Sequence, residues 1–212
     1  MITALFWIAV ATQTFRFLDQ GFRYFSVQKP YYAVHVLHNI GIVALTATNV
    51  RASFANFNRI SETEINWWAV YLCAALHFYH IIDYWPALRF DDWLHHGLMI
   101  GFCLPAGCLL PAGALMGTDL FFTTGLPGAL SYALLVAERN GVLAKTFVQR
   151  WNARVQLWIR APGCVAIATL IAVYGASRAD ASQMDLILTY AIAAFTAWNG
   201  LYFAEQAISN RA

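Results

Sequence analysis

Seven stretches without a single Lys, Arg, Asp or Glu partition this chain of 212 residues: 1–15, 30–50, 65–82, 93–118, 120–137, 161–177 and 186–204. Most are as long as the roughly 17 to 25 apolar residues that carry a helix across a bilayer, and all exceed the roughly 9 to 11 residues of a transmembrane strand. Backbone groups in lipid must be hydrogen-bonded within the chain, so helices are the element that such runs can form. The composition agrees: 60% of residues are hydrophobic and 11% charged, whereas a soluble domain holds about 25% charged residues. The expected fold is all-α, a polytopic membrane helix bundle of about six or seven transmembrane helices occupying 1–212 as one domain. Spans are expected near 2–18, 31–50, 66–85, 93–110, 120–137, 161–176 and 185–204. The first run lacks a basic leader and a small-residue cleavage site, so it is expected as a retained span.

A net charge of +2 without a dense Lys/Arg run leaves nothing to neutralise a phosphate backbone, so no nucleic-acid partner is expected. Cys73, Cys103, Cys108 and Cys164 all lie inside apolar runs and read as small buried hydrophobes. Pro111 to Gly117 is rich in Pro and Gly and predicts a hairpin between the fourth and fifth spans.

The basic residues orient the bundle, because cytosolic loops collect Lys and Arg. Arg16, Arg23, Lys29, Arg89, Arg139, Lys145, Arg150, Arg154, Arg160 and Arg211 fall on one side of a seven-span topology, and Arg51, Arg59 and Arg178 on the other. The N-terminus is therefore expected on the lumenal or outer side and the C-terminus in the cytosol. Residues 143–160 mix basic with large apolar side chains and read either as an interfacial amphipathic helix or as an ordinary loop.

All six histidines lie before residue 97, in three pairs: His35 and His38, His77 and His80, and His95 and His96. A spacing of three places both members of a pair on one helix face. The topology brings the start of span two, the end of span three and the start of span four to the cytosolic side, so all six gather in one leaflet, with Asp83 and Glu138 at the same level. Ionisable groups inside membrane segments are costly and mark functional sites by default. Interfacial hydrogen bonding to loops and lipid headgroups is the structural alternative.

The chemistry that such a group supports is proton transfer. Histidine takes a proton from a hydroxyl or amine near neutral pH, and a neighbouring carboxylate fixes its tautomer. Asp83, three residues after His80, is the expected partner, and acyl transfer onto a lipid nucleophile is the reaction that this pair suits. Imidazoles also hold zinc or iron, and a His from each of two spans could hold haem. Retinal is not expected, because Lys29 and Lys145, the two lysines, both lie outside the spans.

An Asp near the end of one span, a short loop, and a His-His pair opening the next, here Asp83 to Asp91-Asp92-Trp93-Leu94-His95-His96, resembles the TLC-domain family of ceramide synthases and related lipid-handling proteins. The segment Thr123 to Tyr132, followed by Glu138, is similar to that family's Pro-containing cavity-lining helix. Of two further acids carried by ceramide synthases, Asp119 matches one, and Phe121 to Thr124 holds no second. Fatty-acid elongases offer a second comparison through a His-x-x-His-His box, of which His77-Phe78-Tyr79-His80-Ile81 has all but the last histidine.

The resemblance implies a lipid-sized cavity and a membrane lipid as ligand or substrate. His95, His96, His80 and Asp83 are then the expected catalytic residues, and His77, His35, His38, Asp119, Pro127, Tyr132 and Glu138 the expected substrate-binding ones. Acyl-CoA is the expected co-substrate, no bound cofactor is assigned, and a metal or haem stands as an alternative. The resemblance implies an endoplasmic-reticulum membrane, with a mitochondrial or other organellar membrane as the alternative. A second class is a non-catalytic, lipid-binding subunit among other membrane subunits of a large assembly, suited by an aromatic content of 16%.

Overall fold

The computed structural model describes residues 2–110 and 112–209, apart from the side chain of Asp91. Pro111 and Arg211, used above for the hairpin and the charge tally, lie outside the described residues. Among the described residues every regular element is helical. The described residues form seven long helices in succession: α1 (Ile2–Tyr24), α2 (Pro30–Ala55), α3 (Trp67–Tyr84), α4 (90–109), α5 (Gly113–Arg139), α6 (Lys145–Ser177) and α7 (Gln183–Ser209).

Four of them, α2, α5, α6 and α7, are long and apolar enough to cross a membrane. The other three carry several ionisable or amide side chains each: Gln13, Arg16 and Asp19 on α1, His77, His80 and Asp83 on α3, and Asp92, His95 and His96 on α4. On α3 and α4 the side chains that lower apolarity include the candidate functional residues His77, His80, Asp83, His95 and His96, whereas on α1 they are Gln13, Arg16 and Asp19. Large hydrophobic side chains stand exposed along the bundle, among them Phe17, Trp68, Trp158, Val173 and Leu201, which is the surface expected of a protein solvated by lipid.

Residues 145–160 form neither a separate interfacial helix nor a loop. They are the first half of α6, continuous with the apolar half that follows. The hairpin before α5 is likewise shorter than expected, because α5 starts at Gly113. Thr63 terminates it: its carbonyl accepts from Gly113 N at 3.3 Å and its hydroxyl from Ala114 N at 2.9 Å. Those contacts satisfy donors that a helix start leaves without partners.

Among the described residues three helices contain a π turn: Met99–Cys103 in α4, Phe121–Gly125 in α5 and Gln156–Arg160 in α6. Each ends two residues before a proline, Pro105, Pro127 and Pro162 respectively. A proline inside a helix lacks the N–H for its own ladder bond, and its ring collides with the carbonyl four residues back. Widening the preceding turn relieves that collision. The residue just before each proline donates to the carbonyl five back: Leu104 to Met99, Leu126 to Phe121, and Ala161 to Gln156. The helices thereby run through their prolines.

Helix α2 is central and packs against α1, α3 and α5, while α7 lies along α6. The α6–α7 pair is close because small residues meet. A Cβ on Gly200 would stand 2.6 Å from Cys164 Cβ, and one on Gly175 2.7 Å from Thr189 Cγ2. Small residues at crossings allow this backbone approach, the usual device where lipid removes the hydrophobic drive between helices.

Candidate functional site

The start of α2, the end of α3 and the start of α4 meet at one end of the bundle, and five of the six histidines touch there. His80 Nδ1 lies 3.1 Å from His96 Nε2, one nitrogen donating and the other accepting. His35 stands edge-on to His80, ring centroids 5.4 Å apart. His77 stacks on His95 at 5.3 Å and meets His96 edge-on at 5.2 Å. Tyr132 from α5 packs against His35 at 4.4 Å, and Tyr31 stacks on His80 at 5.6 Å. A continuous patch of imidazole and phenol rings results, contributed by four helices.

Its members differ in access. His35, His77 and His96 are buried, whereas His95 is exposed. His35 and His77 each place Nδ1 2.7 Å from the carbonyl one turn back, Tyr31 and Cys73 respectively. Nδ1 therefore donates, and Nε2 of each ring is left with its lone pair. His77 Nε2 and His96 Nδ1 are buried without a hydrogen-bond partner. A buried polar atom without a partner is uncommon and calls for an explanation.

The remaining expected site residues lie elsewhere. His38 is buried, with Nδ1 2.9 Å from Asn39 Oδ1 and its ring against Phe15 rather than in the patch. Asp83 does not orient His80. Its carboxylate accepts from Arg16 Nε, at 2.9 and 3.1 Å, pinning α3 to α1. The reason is reach: a cation on the adjacent helix offers a charge-assisted bond that a neutral imidazole does not match. Asp119 accepts from Thr196 Oγ1 at 3.0 Å and lines an apolar crevice with Cys103, Met116 and Tyr174. Pro127 is buried in α5 directly after its π turn, and Glu138 lies half-buried in the last turn of α5.

Two polar features lack a counterpart in the sequence reading. Arg160, counted there as a loop cation, is buried in the π turn of α6, with its guanidinium 4.3 Å from the Phe203 ring centroid and Nε without a partner. Asp19 is 2% exposed and gathers Arg23, one turn on, and the Tyr84 hydroxyl from α3. Each was hidden by position: Arg160 abuts an uncharged run, and an Asp19–Arg23 pair at i, i+4 reads like any surface pair. Comparison with family models, with curated proteins and with solved structures finds no match for this chain.

Proposed function

We propose that the chain is a TLC-like, seven-span membrane protein that binds or modifies a membrane lipid at the histidine patch, with that patch toward the cytosolic leaflet. The observation that carries this reading is the meeting of His35, His77, His80, His95 and His96 from three helices with Tyr132 from a fourth. An isolated interfacial histidine needs no such company, whereas a site handling a polar headgroup within a membrane needs several polar groups at one point. Two of the four helices that meet here, α3 and α4, are less apolar than the clear membrane-spanning helices α2 and α5, as expected where ring nitrogens and carboxylates replace aliphatic side chains.

In this reading exposed His95 meets the lipid headgroup, and the His80–His96 pair passes a proton inward. With acyl-CoA as co-substrate, an imidazole takes the proton from a lipid hydroxyl or amine as its oxygen or nitrogen attacks the thioester carbonyl. The C–S bond breaks, and the departing thiolate receives the proton. Asp83, held by Arg16, sets the position of α3 rather than the basicity of His80. The test is the lipid profile of cells expressing His95→Ala/His96→Ala against wild type at equal protein level: a changed lipid class is expected, and an unchanged profile refutes the enzymatic form.

The exposed aromatic rings of Trp67, Trp68, Trp158 and Trp198 favour a second reading, a lipid-binding subunit among other membrane subunits. Mild-detergent native electrophoresis separates the two: an enzyme migrates as a monomer or dimer, and a subunit only with its assembly.

A further inference from the structure

We infer that His77, His95 and His96 form a three-histidine site for a divalent transition metal of the zinc class. One ring nitrogen from each lies within 4.8 Å of the other two. Two of the three rings carry the buried, unpartnered nitrogens of the patch, His77 Nε2 and His96 Nδ1. The supporting contacts set the tautomer that a metal needs at His77 and are compatible with the one it needs at His96. His77 Nδ1–H donates to the Cys73 carbonyl at 2.7 Å, leaving the Nε2 lone pair free. With His96 Nε2–H donating to His80 Nδ1 at 3.1 Å, the His96 Nδ1 lone pair is free as well. A metal-bound histidine characteristically anchors its second nitrogen on a carbonyl or another acceptor in this way.

The donor set is imidazole alone, which suits zinc and its neighbours rather than calcium or magnesium. Three protein ligands leave one tetrahedral position open, the arrangement of catalytic rather than structural zinc. His95, exposed, is on the entry side. Binding draws the nitrogens together to tetrahedral spacing, which small side-chain rotations accomplish, and it gives both buried nitrogens a partner. His80 then serves as the positioning residue for His96, and His38, outside the patch, takes no part.

This inference rests on the same patch as the proposed function but is read out independently of lipid. Purified full-length protein in nanodiscs is stripped with a chelator and dialysed against Zn2+ or Co2+; metal is quantified by mass spectrometry and Co2+ by its visible spectrum. One ion per chain with a tetrahedral Co2+ spectrum is expected. His77→Ala and His96→Ala should weaken binding at least about 100-fold and His80→Ala about 10- to 100-fold, with His38→Ala unchanged. Exposed His95→Ala should lose the site without affecting folding, so a misfolded His77 or His96 variant does not decide the matter. Metal no higher than in the His77→Ala/His95→Ala/His96→Ala variant overturns the inference, as does equal loss in His38→Ala. A changed lipid profile without metal overturns the metal site alone, and stoichiometric metal with an unchanged lipid profile supports it while refuting the enzymatic reading.

Discussion

The α6–α7 pair and the α3–α4 corner both join two helices in an apolar setting, by opposite means. Along α6 and α7, glycine meets small side chains, so the backbones approach and little polar surface is buried; Gly200 against Cys164 and Gly175 against Thr189 set the spacing. At the α3–α4 corner, His77 and His80 face His95 and His96 through rings about 5 Å apart between centroids, and two nitrogens go without partners. The first arrangement is good packing. The second is a departure from it, and such departures are expected at functional rather than structural places. Ion pairs at one end of α1 and α3, Arg16 with Asp83 and Asp19 with Arg23 and Tyr84, hold the polar half together where close packing does not.

That contrast can be broken from either side. Gly200→Leu places a side chain where even a Cβ has no room and should force α7 off α6, costing about 3 kcal/mol or more; a large fall in thermal midpoint in detergent micelles is the expected readout, and no fall would remove the close-packing account. Arg16→Ala leaves a half-buried Asp83 without its cation and should cost about 1–2 kcal/mol, discounted because both groups keep some solvent access, with Arg16→Lys recovering part of it in the same melting experiment. His77→Phe keeps the ring and removes a buried orphan nitrogen, so its stability should stay within about 1 kcal/mol of wild type or rise, while metal binding disappears. A drop comparable to that of Gly200→Leu would show that the histidines are packing elements after all. Arg59→Ala, which removes an exposed pair with Glu62, should leave the midpoint unchanged.

The helices were legible because uncharged runs and helix length in a bilayer are one constraint seen twice: the expected 31–50 and 185–204 lie wholly inside Pro30–Ala55 and Gln183–Ser209. Where charge marks the end of a run but not of a helix, the boundary misleads. Helix α6 begins at Lys145, sixteen residues before its uncharged run, because Arg150, Arg154 and Arg160 are compatible with helix and only incompatible with exposure to lipid. The three π turns follow from Pro105, Pro127 and Pro162, a local rule available in the sequence. The histidine patch was partly legible: i, i+3 spacing and alternating topology place the pairs at one end of the bundle. The diversion of His38 to Asn39 and Phe15, and of Asp83 to Arg16, depends on rotation about α2 and α3, which the periodicity of such evenly apolar helices leaves open.

Cysteine pairs measure directly the convergence of α3 and α4 through their histidines, on which the site depends. In protein with Cys73, Cys103, Cys108 and Cys164 replaced by alanine, His80→Cys/His96→Cys should be bridged within one chain by a short bifunctional thiol reagent. Asn66→Cys/His96→Cys should not, because Asn66 lies fourteen residues back along α3, about 21 Å at the helical rise. A His80→Cys/His96→Cys protein that reacts fully with the monofunctional reagent yet never forms the bridge would contradict the convergence, and with it the site.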